Sequence, residues 1–396
     1  MQKSNFLIIG AGIIGLSIAK RLREKYPDKS ITIIEKESKV ALHASGRNSG
    51  VLHAGFYYSA NSLKAKFTKE GNAMLKEFCQ EHNLSINHNK KVVIAQNEEE
   101  IDTIFELEKR GQLNGVDVKV IDEEQLKQIE PNAKTCKYAL YSPSTATINP
   151  KEIVEKLASV IVENGVELIL ECAYISKLNT TTIQTTKGEL SADTIINTAG
   201  LYADKIAHEF GVGLDYTILP FKGVYLKYSN NDKPIHTNIY PVPNLKNPFL
   251  GVHYTVTEDE TIKIGPTAIP AFWRENYQGF DNFDIKEMID IIKYELKLFI
   301  SNSFGFRNLA FEEFKKYSKS HLASLAKDMV YQIESNKFDK WSTPGIRAQL
   351  LHKKTLELVQ DFVVESKDNS VHILNAVSPA FTCSFSFASW VVDEYL

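Results

Sequence analysis

The stretch "NFLIIGAGIIGLSIAKRLREKYPDKSITIIEKE", residues 5–37, decides how the chain folds. Residues 6–9 are a short apolar run of strand length, and Ile13, Ile14, Ile18, Ala19 and Leu22 fall on one helical stripe. Pro27 and Asp28 punctuate the end of that helix, and the β-branched run at 31–34 reads as a second strand. Between the first strand and the helix stands Gly10-x-Gly12-x-x-Gly15. This spacing suits a dinucleotide. Gly10 permits the tight turn, Gly12 lets a pyrophosphate approach the backbone, and Gly15 lets the helix pack close on the strand. The first helical residues, Ile14 among them, then turn their N–H groups to the phosphates. Glu35 stands twenty positions beyond Gly15, where a strand-terminal carboxylate meets a ribose hydroxyl, and Lys36 follows it at the same edge. A Gly-x-Gly-x-x-Gly alone is weak, but here it has its strand, its helix and its acid. Glu35 favours a free ribose over a 2′-phosphate; the motif does not separate FAD from NAD.

Working outward, two later segments read as further pieces of the same unit. In "ADTIINTAGLYADKIA", residues 192–207, an apolar strand at 194–198 breaks at Ala199-Gly200 into a helix. "VHILNAVSPAFTCSFSFASWVVDEYL", residues 371–396, is a strand, a turn and a helix, with Ser378 as N-cap and Pro379 as first helical residue. "NPKEIVEKLASVIVENG", 149–165, is a helix marked by Pro150 and Gly165, and a β-meander turning at Lys187-Gly188 follows it. Residues 86–144 mix short strands with charged helices, 216–270 are strand-rich, and 284–300 and 308–333 read as helical. The expected fold is α/β: a Rossmann-like dinucleotide-binding domain from 1–85, 145–215 and 341–396, with an inserted α+β substrate domain from 86–144 and 216–340 built on a mainly antiparallel sheet.

Composition narrows the function. With 396 residues the chain exceeds one ordinary core, and 43% hydrophobic with 24% charged residues describes a globular protein. A net charge of −3 and a pI near 6.4 give no global attraction to nucleic acid or an anionic membrane. Four cysteines without a Cys-x-x-Cys are expected as reduced thiols, with neither a disulfide frame nor a metal site. No apolar run reaches membrane-spanning length. The apolar N-terminus is broken by its glycines and runs into Arg21 and Arg23, so it reads as mature structure rather than a signal peptide. The location these features fit is cytoplasmic.

A third stretch, "SGRNSGVLHAGFYY" at 45–58, follows neither a helix nor a strand period. With the following "SLKAK", it is one of several long, unusual segments that resemble the FAD-dependent L-2-hydroxyglutarate oxidases and dehydrogenases, in the D-amino-acid-oxidase-like flavoprotein superfamily. The others are "PFKGVYLKY" (220–228), "IYPVPNLKNPFLGVHYT" (239–255), "IGPTAIPAFWRENY" (264–277), "PGIRAQL" (344–350) and "NAVSPAFT" (375–382). The resemblance runs nearly end to end. It implies FAD, a β-sheet domain lying over the flavin, and oxidation of L-2-hydroxyglutarate, or a close 2-hydroxy dicarboxylate, to 2-oxoglutarate by hydride transfer to flavin N5. The chain departs from the family pattern at Val224, Trp273, Asn276, Val377 and Phe381.

Oxidising a 2-hydroxy acid needs a hydride acceptor, an acceptor for the hydroxyl proton, and anchors for the carboxylates. His53 is the first candidate base, because the resemblance places its loop beneath the flavin; His253 in "GVHYT" is the rival, provided its strand face is the pocket face. Arg347 is the first carboxylate anchor, since a guanidinium grips a carboxylate with two parallel hydrogen bonds. Arg274 is placed second, for the distal carboxylate, and Lys222 third, while Tyr57, Tyr58 and Tyr240 are candidate donors to carboxylates. For the cofactor, Arg47 is expected on the pyrophosphate, with Ser45, Asn48 and Ser49 adding hydrogen bonds. The helix after Ser378-Pro379 aims its positive end at the flavin pyrimidine. Two alternatives stay open: the same fold acting on an amino acid or another hydroxy acid, and a flavin-binding module without turnover. Oxygen, a quinone and an electron-transfer protein all fit as electron acceptor. A quinone would need peripheral membrane contact, for which the sequence shows no amphipathic basic helix.

Overall fold

In the computed structural model, residues 2–230, 232–243 and 251–396 are described. The strand Gln2–Ile9 lies at the centre of an eight-stranded sheet, flanked in parallel by Ile31–Ile34 and Gly188–Asn197. Glu167–Ile169 extends the sheet beyond Ile31–Ile34, and Ser370–Asn375 joins the far end of Gly188–Asn197. Strand residues alternate between the two faces. Ile8, Ile33 and Ile196 therefore pack with Ile13–Lys25, Pro150–Glu163 and Ala380–Tyr395, whose Leu16, Leu157 and Val391 share one core. Leu7, Ile9, Ile34 and Ile195 face the other way, onto Leu201, Ile206 and Leu350. Burial on both faces explains why these strands read as continuous apolar runs. The segment expected at 192–207 does lie beside the first strand, and that at 371–396 joins the same sheet one strand further out.

A second eight-stranded sheet is shared by distant parts of the chain. Its order runs Phe338–Trp341, Leu226–Tyr228, Ile262–Gly265, His253–Val256, Asn238–Pro241, Lys91–Ile94, Tyr138–Ser142, Lys119–Asp122. All pairs are antiparallel except Asn238–Pro241 with Lys91–Ile94. Tyr216–Gly223 and Gly345–His352 form an antiparallel ribbon where the chain leaves for this sheet and returns from it. Their register sets Phe221 opposite Arg347 and Gly223 opposite Gly345.

Two local expectations are corrected. The region read as helical at 308–333 holds two helices, Phe306–Lys315 and Lys319–Lys327, and stops short of 333; the second is capped by Ser318, whose hydroxyl accepts from the His321 N–H. The last helix begins at Ala380 with Pro379 in the N-cap position, so Ser378 caps nothing. A further helix, Ile285–Ser301, has its pattern inverted: Glu287 and Glu295 are buried beside Ile291 and Leu298, while Ile285, Ile289, Leu296 and Ile300 are exposed. Among the described residues no helix is long and apolar enough to cross a membrane, and the four cysteines are free thiols.

Candidate active site

A cavity of about 680 Å³ runs from the first strand–helix turn to the second sheet. At its nucleotide end Gly10 has φ +105°, a left-handed conformation that only glycine adopts without strain. A Cβ on Gly15 would come within 2.1 Å of the Gly10 carbonyl oxygen, so helix and turn touch because there is no side chain. Gly12 N-caps the helix without a side-chain partner, and the Ile13 N–H donates to the Ser45 hydroxyl at 2.9 Å. Glu35 closes the strand as expected and also holds the turn: its carboxylate accepts from the Ala11 N–H (2.9 Å) and the Glu37 N–H (3.1 Å). Gly10, Gly12, Ile14, Glu35, Lys36, Ser45, Asn48, Ser49, Ala199, Gly200, Ser378 and Pro379 all border the cavity; Gly15 shapes it from behind. The residues therefore fit a dinucleotide: a turn cleared of Cβ atoms, a helix N-terminus whose N-cap glycine offers no side chain to its N–H groups, and a strand-terminal acid, in one cleft. The N-terminus of Ala380–Tyr395 also borders the cleft without a side-chain cap, so its positive end is presented there.

Several expected roles change. Arg47 borders the cleft but is used to hold its own loop. It donates to the carbonyls of Leu42 and Pro344 and lies 4.2 Å over the Tyr277 ring, so the side chain expected on the pyrophosphate also fastens the loop at the cavity edge. Asn48 likewise fastens the loop, donating to the Ser45 carbonyl (2.9 Å) and accepting from the Gly50 N–H (2.9 Å). Lys36 is 2.8 Å from Glu275 and also pairs with Glu37. His43 joins that group, 2.9 Å from Glu37 and 2.7 Å from the Tyr277 hydroxyl. Glu37, His43 and Glu275 bring their ligand atoms within 4.8 Å of one another, but the Lys36 ammonium stands among them, so they form an ion-pair network. In the sequence it is hidden because Glu275 and Tyr277 lie far from Lys36, Glu37 and His43.

At the other end, His53, Tyr225, Tyr240, His253 and Arg347 converge on the cavity. His53 is fixed by its backbone: its N–H donates to the Thr382 hydroxyl (3.2 Å) and its carbonyl accepts from Asn72 (3.0 Å). Its Nδ1 lies 3.5 Å from Lys91 Nζ. Burial, then the charge of Lys91 and the neighbouring His253 and Lys64, hold its imidazole well below the usual histidine range. His253 stacks on Tyr240 at 3.7 Å between centroids, and its Nδ1–H donates to the Gly251 carbonyl at 2.8 Å. Burial pulls its pKa down to about 3. The strand face carrying His253 is thus the cavity face, while residues 244–250 before it, part of the stretch quoted at 239–255, lie outside the described residues. Arg347 extends its Nε–H to Gln349 (3.0 Å), and burial pulls its pKa down to about 10.

Four of the expected anchors are not cavity residues. Arg274 is buried in a two-pronged ion pair with Asp204, 2.8 and 2.9 Å, so it is structural; its partner is not the adjacent Glu275. Lys222 sits between Phe221 and Gly223, which border the cavity, and strand alternation turns it away. Tyr57 packs against Phe56, 4.2 Å between centroids, with its hydroxyl buried and unpartnered. Tyr58 also lies off the cavity, beneath the Lys64 ammonium. Two lysines were missed. Lys91 opens the buried strand Lys91–Ile94, and a lysine in an otherwise apolar run was the available signal. Lys64, in "SLKAK", donates to the Ser378 carbonyl (2.9 Å), and burial followed by the Arg347 charge brings its pKa down to about 7. Of the departures from the family pattern, Val377 and Phe381 border the cavity, whereas Val224, Trp273 and Asn276 do not.

Residues 5–393 match the family of FAD dependent oxidoreductases designated DAO. The chain is 33% identical, over 98% of its length and 97% of the relative's, to L-2-hydroxyglutarate dehydrogenase of Indibacter alkaliphilus. It is 35% identical, over 98% and 87%, to the mitochondrial L-2-hydroxyglutarate dehydrogenase of Mus musculus. In structure it is similar to FAD-bound L-alpha-glycerophosphate oxidase of Mycoplasma pneumoniae, with a TM-score of 0.76 at 19% identity covering 100% and 96% of the two chains. It is also similar to glycine oxidase of Geobacillus kaustophilus, with a TM-score of 0.70 at 16% identity covering 99% and 94%.

Proposed function

This chain belongs to the FAD-dependent oxidoreductases of the DAO family, in the group of L-2-hydroxyglutarate dehydrogenases, and from that premise we propose how its cavity works. The enzyme oxidises L-2-hydroxyglutarate to 2-oxoglutarate with FAD as cofactor. Bound FAD supplies the acceptor for the hydride. The chain's own residues do the rest. Arg347 takes a substrate carboxylate and so orients Cα. Tyr225 and Tyr240 border the same space and offer hydroxyls to the remaining oxygens. His53, buried and neutral, receives the hydroxyl proton; neighbouring aromatic side chains keep water out. The observation that carries this reading is the convergence of His53, His253 and Arg347 on one cavity that also contains a dinucleotide turn. The discontinuous division into cofactor and substrate domains is retained as part of the reading, supported by the two separate eight-stranded sheets.

Of the three candidate acceptors, the helical region favours a membrane quinone. The outer face of Ile285–Ser301, the turn after it and the helix Phe306–Lys315 expose Ile289, Leu296, Ile300, Phe304 and Phe311, with Lys293, Lys297 and Arg307, beside Asp290, around them. Apolar residues within a basic rim suit the surface of an anionic bilayer. This face is hard to read in the sequence, because two of the helix's acids, Glu287 and Glu295, lie on its buried side. The protein on this reading is cytoplasmic and peripheral at the inner membrane.

One anaerobic experiment tests the whole reading. L-2-hydroxyglutarate should bleach the flavin, and a quinone analogue in anionic vesicles should restore the colour faster than air does. A flavin that stays yellow with this substrate but bleaches with an amino acid sinks the reading. Reoxidation by air alone would remove the quinone.

A further inference from the structure

His53 and His253 both border the cavity, but only one has somewhere to send a proton. The Nδ1–H of His253 ends on a backbone carbonyl, which cannot take a proton onward. His53 Nδ1 is 3.5 Å from Lys91 Nζ. Lys91 is fully buried, and burial alone, with no neighbouring carboxylate among the described residues, accounts for the shift of its pKa. Its ammonium position is instead surrounded by π faces: 4.0 Å from the Tyr240 centroid, 5.4 Å from Tyr57 and 5.9 Å from Phe56. Lys91 does not border the cavity, whereas His53 and Tyr240, which it touches, both do.

We propose that Lys91 is the terminal proton acceptor of the oxidation, acting through His53; this rests on the hydroxy-acid reading of the cavity. The substrate O–H bond breaks as an Nε2–H bond forms on His53. The Nδ1–H bond of His53 breaks as an N–H bond forms on Lys91, turning a neutral amine into an ammonium. The C–H bond at Cα breaks with its electron pair leaving as hydride to FAD, and the hydroxyl carbon becomes a carbonyl. The imidazole is neutral before and after, with its tautomer inverted. That neutrality is the physical reason for a second group. Burial makes an imidazolium at His53 costly, and Lys91, His253 and Lys64 add to that cost. An ammonium among three aromatic rings is partly compensated by their faces. Burial also brings the Lys91 pKa down to about 7, so that a neutral amine is available at ordinary pH. Lys91 touches no substrate in this scheme and is a positioning residue.

The test is stopped-flow reduction of the FAD-bound enzyme by L-2-hydroxyglutarate. In the wild-type protein the limiting rate should rise about tenfold or more between pH 5.5 and 8.5 along one ionisation, because only the neutral amine accepts. Lys91→Met should bind FAD and substrate normally, lower that rate by about 10²-fold, and lose the ionisation from the profile. A K91M enzyme with wild-type rate and profile overturns the relay and leaves Lys91 a filler of the aromatic box. Should K91M fail to take up FAD, the wild-type profile still decides: a rate independent of pH overturns it. A wild-type flavin that does not bleach at all fails the functional reading itself, and the relay with it.

Discussion

Arg274 and Asp204 meet through two parallel hydrogen bonds, 2.8 and 2.9 Å, in a site where both side chains are almost wholly removed from water. Asp204 also accepts from the Ile218 N–H (2.9 Å), and the Arg274 guanidinium reaches the Leu201 carbonyl. The pair therefore joins the turn after Ala199-Gly200 to the ribbon strand and to the loop before Ile285–Ser301. Burial alone would raise the Asp204 pKa, but the Arg274 charge outweighs it and holds the carboxyl below the usual range. Removing one partner strands a buried charge and costs about 3–5 kcal/mol. Arg274→Ala and Asp204→Asn should each lower the urea midpoint of the FAD-bound protein by that equivalent. The double variant R274M/D204L should recover much of the loss, as an apolar pair of similar volume does. An Arg274 variant that keeps its stability but weakens substrate binding would return Arg274 to the anchor role.

Sequence order carried the nucleotide end well, because that end is local. Gly10, Gly12, Gly15 and Glu35 sit within one strand–helix–strand unit, and each is needed by the geometry of that unit. The substrate end was legible only in part. Arg347 and His53 stood in recognisable segments, but nothing in the sequence set Phe221 opposite Arg347, and that register decides which of Phe221, Lys222 and Gly223 sees the cavity. Arg274 misled for a related reason: its partner Asp204 is 70 positions away, while Glu275 is adjacent. Lys91 looked like the polar start of an apolar strand, and only the fold closes three rings and His53 around it.

Arg347 is buried at the cavity wall, and burial lowers its pKa from the ordinary arginine value to about 10. A folded-state pKa below the unfolded one means that its charge costs stability at every pH below that window. Substrate carboxylate is the compensating charge. Arg347→Met should therefore keep its FAD and its thermal midpoint, or gain slightly, while the Kd for L-2-hydroxyglutarate rises about 10²-fold or more, equivalent to at least about 2–3 kcal/mol. Spectral titration of the flavin, read beside a melting curve, separates the two effects. Unchanged affinity with a lowered melting point would make Arg347 a structural residue.

His372 gives the protein a defined acid weakness away from the cavity. It is buried in the strand Ser370–Asn375, with Nδ1 accepting from Asn197 (3.1 Å) and Nε2–H donating to Ser370 (3.0 Å). Both ring nitrogens are thus used in the neutral form, and protonating Nδ1 would set an N–H against an N–H donor. Burial, with the Lys177 charge behind it, depresses its pKa to about 4. The sign follows directly. Above the unfolded value near 6.5 the imidazole is neutral in both states and costs nothing. As pH falls from about 6.5 to about 4, the unfolded chain takes up a proton that the folded chain refuses, and stability falls by up to about 3 kcal/mol. His53 and His253 are depressed in the same direction and add to the loss. Urea denaturation at pH 7.5 and 5 should show the wild type losing stability, and His372→Gln, whose amide retains a hydrogen-bonding role without titrating, losing measurably less. An equal loss in both proteins would place the acid sensitivity elsewhere.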